Sequence, residues 1–182
     1  NVGQQVTVEV RRGRTIVRHA LGVQSLSAIT PDEYIEFGEA VVHTLSYQQA
    51  RHFNLPIKGV YVANPGYVFG SAGIPRAALI SSFNGKKIED LKDFEAALAG
   101  LADGAKAPVR YVTLEDPRAA QLKVIRMDRL WFPARKCKRD DTLGTWPCVA
   151  IAPGPAASSE QPASTQFTKT GDPRIDRLAP SL

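Results

Sequence analysis

Asp90 is followed by apolar side chains at Leu91, Phe94, Leu98 and Leu101, in steps of 3, 4 and 3. That spacing places all four on one face of an α-helix that Asp90 caps. The stretches on either side are of β type. Residues 77–83 read as a strand closed by the Asn84-Gly85 turn, and residues 108–114 and 121–127 as two more strands joined by a turn at 115–118. Upstream, residues 40–43 and 59–63 are short β-type runs. Between them, Ser46 followed by Gln49 is a capping-box signature for a helix through about residue 53, which must end before Pro56. Asn64, Pro65 and Gly66 turn the chain, and Gly70 and Gly73 keep the next stretch loop-like. The centre is therefore a mainly β domain with two helices, and its roughly 95 residues suffice for one modest core.

The flanks have a different character. Residues 4–11 alternate, with Val6, Val8 and Val10 on one face, and residues 14–21 return after Gly13 as a hairpin. A lone hairpin is only marginally stable, so this one must pack on a domain. Beyond Asp128, Trp131, Phe132 and Trp146 are spaced through a basic, turn-rich segment. Of the 14 residues 152–165, 12 are Ala, Pro, Gly, Ser or Thr, which reads as a flexible linker. The chain does not start with Met, and its only Met is Met127, which marks it as a piece of a longer protein or a processed product. No apolar run is long enough for a membrane span.

The chain has 182 residues, a formal net charge of +5 and a pI near 9.4, a basic balance of the kind that nucleic-acid partners favour. The charge is not in the centre. Residues 1–31 carry 4 basic groups against 1 acidic, residues 32–127 carry 11 of each, residues 128–150 carry 5 against 3, and residues 151–182 carry 3 of each. The excess belongs to the flanks, so nucleic acid is disfavoured as a partner. Cys137 and Cys148 are too few for a disulfide framework or a four-ligand zinc site. They can form one bridge, but so small a number favours two reduced thiols.

Leu-Pro-Ile-Lys-Gly-Val-Tyr-Val at 55–62, Gly-Ser-Ala-Gly-Ile at 70–74, the stretch 79–88 with its Asn84-Gly85 turn and the helix at 90–98 resemble the PDZ domains of HtrA/Deg serine proteases. Ile-Thr-Pro-Asp at 29–32 and Leu-Ser-Tyr-Gln-Gln-Ala-Arg at 45–51 are similar to the second PDZ of the long HtrA-like proteases of fungi and plants, whose fungal members are nuclear and pro-apoptotic. The segments 128–132 and 139–146 resemble the connection to their second, degenerate protease-like half. The resemblance implies a circularly permuted HtrA-type PDZ, a small β-sandwich or partly open barrel capped by helices. It divides the chain into the hairpin end of a preceding PDZ (1–27), the PDZ (28–128), a basic connector (129–151) and a flexible tail (152–182). It favours the nucleus or cytoplasm.

The resemblance also implies a function: a non-catalytic module of a serine endopeptidase that recognises an extended peptide or protein segment by strand addition. The family nucleophile sits in Gly-Asn-Ser-Gly-Gly, which the sequence lacks, and His19, His43 and His52 have no metal-ligand spacing. No cofactor is implied. By position, Tyr34, Ile35, Glu36, Phe37 and Gly38 match the carboxylate-binding loop. Residues 39–43, with Glu39, Val41 and His43, match the edge strand, and Leu91, Glu95 and Leu98 line the helix side. Glu36 stands where the family has Gly, and Glu39 follows. Fixed negative charge repels an incoming carboxylate in a half-buried site, so the groove is expected to bind free C-termini poorly. It is expected instead to take internal strands, basic segments or a neighbouring domain of its own protein. The alternative is a structural interdomain or oligomerisation module with a degenerate groove.

Overall fold

The structure, a computed structural model, describes residues 2–154. The opening hairpin forms as β1 (Gln5–Arg12) and β2 (Thr15–Gly22), paired from Gln5↔Gly22 to Arg12↔Thr15 around the left-handed Gly13. Among the described residues the two strands pair only with each other, and Val6, Val8, Val10, Ile16 and Leu21 are exposed.

The second sheet holds everything else. In chain order its elements are β3 (Glu33–Phe37), β4 (Ala40–Thr44), α1 (Tyr47–His52), β5 (Val60–Asn64), α2 (Gly66–Gly70), β6 (Ala78–Phe83), β7 (Lys86–Lys87), α3 (Leu91–Ala99), β8 (Lys106–Thr113), β9 (Gln121–Arg126), β10 (Arg135–Lys138) and β11 (Cys148–Ala150). The spatial order is β11-β10-β3-β4-β5-β6-β8-β9, with β7 beside β6. Among the described residues neither β11 nor β9 has a further partner, so the sheet is open and does not close into a barrel.

Local chemistry explains the elements. Ser46 accepts from the Gln49 amide at 3.2 Å and so caps α1. The Gln49 side chain returns to the Ser46 hydroxyl, which donates to Gln49 Oε1, in place of the Ser46 amide of a full capping box. Asp90 accepts from the Asp93 amide at 2.9 Å and starts α3. Asn84 and Gly85, both at positive φ, make the tight turn between β6 and β7. The two faces of the sheet are both covered. Val60, Val62 and Val42 point into the main core with Phe69, Leu91, Phe94 and Leu98 of the helices. Tyr61 points the other way, into a smaller cluster with Leu45, Ala50 and Leu114 under α1.

Several expectations need correcting. Three helices form among the described residues, because Gly66–Gly70 winds into the short α2 where a loop was expected. Its start packs on the β3–β4 turn: a Cβ on Gly66 would come within 2.1 Å of the Glu39 carbonyl carbon. The segment after Asp128 does not lead away from the domain, since β10 and β11 extend the main sheet, and Ala134 and Ile151 join its core. Cys137 and Cys148, expected as reduced thiols, stand opposite each other in the β10–β11 register and form a disulfide with Cα atoms 4.0 Å apart. The tail expected at 152–182 lies, beyond residue 154, outside the described residues.

Candidate functional site: a sheet edge beside helix α3

Residues Tyr34 to Gly38 were expected to form a loop, and residues 39–43 an exposed edge strand. The structure places them otherwise. Residues 33–37 are the strand β3, and Gly38 and Glu39, both at positive φ, make a tight hairpin turn into β4. Gly38 serves close packing there: its carbonyl accepts from the Val68 amide, and a Cβ would meet Val68 Cβ at 2.5 Å. β4 is not an edge, because it lies between β3 and β5. Val41 and His43 alternate with the core residues Ala40 and Val42, so they face away from α3. His43 stacks on Tyr61 and bonds the Thr44 carbonyl through Nδ1. Val41, His43 and Glu39 therefore lie outside the cleft beside α3.

That cleft is built by β3 and α3. Ile35 and Phe37 of β3 meet Leu91, Phe94 and Leu98 of α3 in one buried cluster, with Phe37 and Phe94 ring centroids 5.4 Å apart. A PDZ-like site needs an unpaired strand edge next to such a helix. Here the edge of β3 is filled by the chain itself. β10 runs antiparallel to β3 in the register Arg135↔Glu36, Lys136↔Ile35, Cys137↔Tyr34 and Lys138↔Glu33.

Alternation along β10 sorts its side chains. Lys136 stands on the α3 side, and its ammonium donates to Glu95 of α3 at 3.0 Å and pairs with Glu33 of β3 at 3.2 Å. Lys138, two residues on, pairs with Glu33 at 3.2 Å and with Asp32 at 3.9 Å. On the opposite face Arg135 Nε donates to Glu36, and Trp146 lies 5.2 Å from the Tyr34 ring. Glu36 is thus neutralised by a strand of its own chain. Burial works to raise the Glu33 carboxyl, but the Lys136 and Lys138 ammonium groups outweigh it and hold its pKa below the ordinary value. Burial likewise pulls Lys136 down, and Glu95 and Glu33 outweigh that and hold it above the ordinary lysine value.

A second fastening holds the connector down. The Arg129 guanidinium donates to the Leu98 carbonyl at 2.6 Å and to the Ile151 carbonyl at 3.0 Å, joining the end of α3 to the strand end beyond β11. Burial lowers its pKa, against the attraction of Asp103. Sequence reading missed Glu33, Arg129 and Lys136. The available signal was the alternation of Arg135, Lys136, Cys137 and Lys138 opposite a carboxylate-rich 32–36 stretch, which marks a strand pair by charge.

His19 lies on β2 and His52 on α1, apart from the cleft. Among the described residues no group of three His, Cys, Asp or Glu could hold a metal ion, and no helix is long and apolar enough to cross a membrane.

Comparison with known proteins bears on this geometry. Residues 28–104 match the family described as a PDZ-like domain. The chain is 37% identical over 161 residues to Protease Do-like 7 of Arabidopsis thaliana, covering 87% of this chain and 15% of that protein. It is 31% identical over 182 residues to the pro-apoptotic serine protease of Yarrowia lipolytica, covering 96% of this chain and 18% of that protein. To the pro-apoptotic serine protease of Saccharomyces cerevisiae it is 30% identical over 186 residues, covering 100% of this chain and 19% of that protein. The chain therefore spans less than a fifth of the length of these relatives. No solved structure matches it. The chain carries a PDZ-like domain and is similar to the PDZ region of HtrA-like serine proteases of plants and fungi.

Proposed function

We propose that the chain is the non-catalytic PDZ module of an HtrA-like serine endopeptidase, taking extended protein segments by strand addition at the β3 edge. In its resting arrangement that edge is held by the module's own connector. The observation that carries this is β10, an internal strand laid antiparallel on β3 beside α3, the position a ligand strand takes in this mode of recognition. A groove filled in this way is closed to free C-termini, and Glu36, already paired to Arg135, adds no donor for a carboxylate. The module's first partner is accordingly the rest of its own protein, and its exposed hairpin belongs with a preceding domain. On the family resemblance, we assign it to the nucleus or cytoplasm.

The test is peptide titration of the full chain by fluorescence anisotropy. An acetylated, amidated peptide copying residues 133–139, with Cys137→Ser, should fail to bind the wild-type chain. It should bind a Lys136→Pro variant, in which proline removes a ladder N–H and loosens β10. Binding of free-acid peptides by the wild-type chain, lost on amidation, would overturn the reading.

A further inference from the structure

The way β10 is held reports what the cleft selects, and this inference rests on the strand-addition reading above. We propose that the β3–α3 cleft is specific for internal, extended segments carrying basic residues at alternate positions, read by a carboxylate slot made of Glu33 and Glu95.

Three observations carry it. The slot is composite: Glu33 comes from the strand and Glu95 from the helix, and only their convergence across the cleft puts two carboxylates around one ammonium. It is half-enclosed, since the Glu33 and Glu95 side chains keep 25% and 34% of their exposure and the Lys136 side chain 23%. Charge pairs in such a setting are stronger than open surface pairs and punish a mismatch, because a carboxylate pair without a cation is desolvated with no return. Third, the periodicity of the occupant matches the slot. Ala134, Lys136 and Lys138 share the face turned to α3, with Ala134 buried in the core and Lys138 on the outer oxygen of Glu33.

The ligand class is therefore a strand with a small residue, then a lysine or arginine two residues on, then a second basic residue two further on. An apolar strand would pair its backbone equally well but would leave Glu33 and Glu95 facing each other unscreened. A free carboxylate terminus is not required by any of these contacts.

The experiment uses the Lys136→Pro chain and the 133–139 peptide, with release of β10 verified by faster amide hydrogen exchange at Tyr34, Ile35 and Glu36. The parent peptide should bind, and replacing its Lys136 by Leu or by Glu should weaken binding by about tenfold or more. Glu33→Gln with Glu95→Gln in the protein should abolish that discrimination. Equal binding of the Leu peptide would overturn the basic selectivity and leave strand addition standing. No binding by any peptide, with β3 amides freed, would overturn strand addition and this proposal together. The unopened full chain gives a second readout: Lys136→Leu should speed exchange at β3, and Lys136→Arg should restore protection. Unchanged protection in Lys136→Leu would overturn the slot.

Discussion

Arg129 acts at the scale of one side chain on two separate elements. Its forked donors meet the Leu98 carbonyl near the end of α3, which also accepts from the Leu101 amide, and the carbonyl of Ile151. Its Nε is buried with no hydrogen-bond partner among the described residues, so part of the gain is offset. Arg129→Ala should destabilise the domain by about 1–3 kcal/mol in chemical unfolding, and Arg129→Lys should not restore it, because an ammonium cannot span both carbonyls. Wild-type stability in Arg129→Lys would show that charge alone suffices there. Gly66 is stricter. It sits at φ +52 with the Glu39–Ala40 backbone within 2.4 Å of any Cβ. Gly66→Ala should cost more than the roughly 1 kcal/mol of a strained φ alone, with the excess coming from separation of α2 and the β3–β4 turn. A variant melting with the wild type would refute that packing.

At the scale of the element, β10 is held by charges that titrate and by a disulfide that can be reduced. Glu33 has a folded pKa below its ordinary 4.5, so its contribution is present above that value and is lost as pH falls through the folded pKa. Lys136 has a folded pKa above its ordinary 10.5, so its contribution is full below 10.5 and is lost as pH rises through the folded pKa. Between the two limits β3 amides should stay protected, with exchange beyond the intrinsic pH trend appearing on acidification below about 4.5. Acid exchange that follows the intrinsic trend alone would show that the carboxylates do not hold the strand. The Cys137–Cys148 bond closes a short loop, 11 residues in sequence, and ties β10 to β11. Reduction should lower the stability of the β10–β11 pair by about 2–3 kcal/mol. The rest of the sheet should be left folded, a local loss that residue-resolved exchange would separate from global unfolding.

For the whole molecule, the periodic segments were legible in the sequence. Leu91, Phe94 and Leu98 face the core as their spacing requires, and Ser46 and Asp90 cap the helices they were expected to cap. Short-range rules suffice for such features, because the groups involved lie within a few residues of one another. The hairpin was equally legible, and among the described residues its strands pair only with each other. Removing residues 1–22 should leave the thermal midpoint of the remainder unchanged, and a drop of several degrees would reveal a packing role. What failed was the assignment of edges. Residues 39–43 read as well for an edge strand as for the interior strand they form, since strand propensity does not say which neighbours a strand has. The stretch around Lys136 read as a basic connector because its partners, Glu33, Glu36 and Glu95, are far away in the chain. The Arg135–Glu36 pair joins residues 99 apart. Sequence alone therefore determined the mainly β composition, the helix faces, the caps and the turns, all products of local geometry. Only the tertiary structure decided that β10 fills the cleft beside α3, that the two cysteines meet, and that the sheet stays open. Strand pairing and ion pairing across such distances depend on how the whole sheet is assembled, and no local period encodes it.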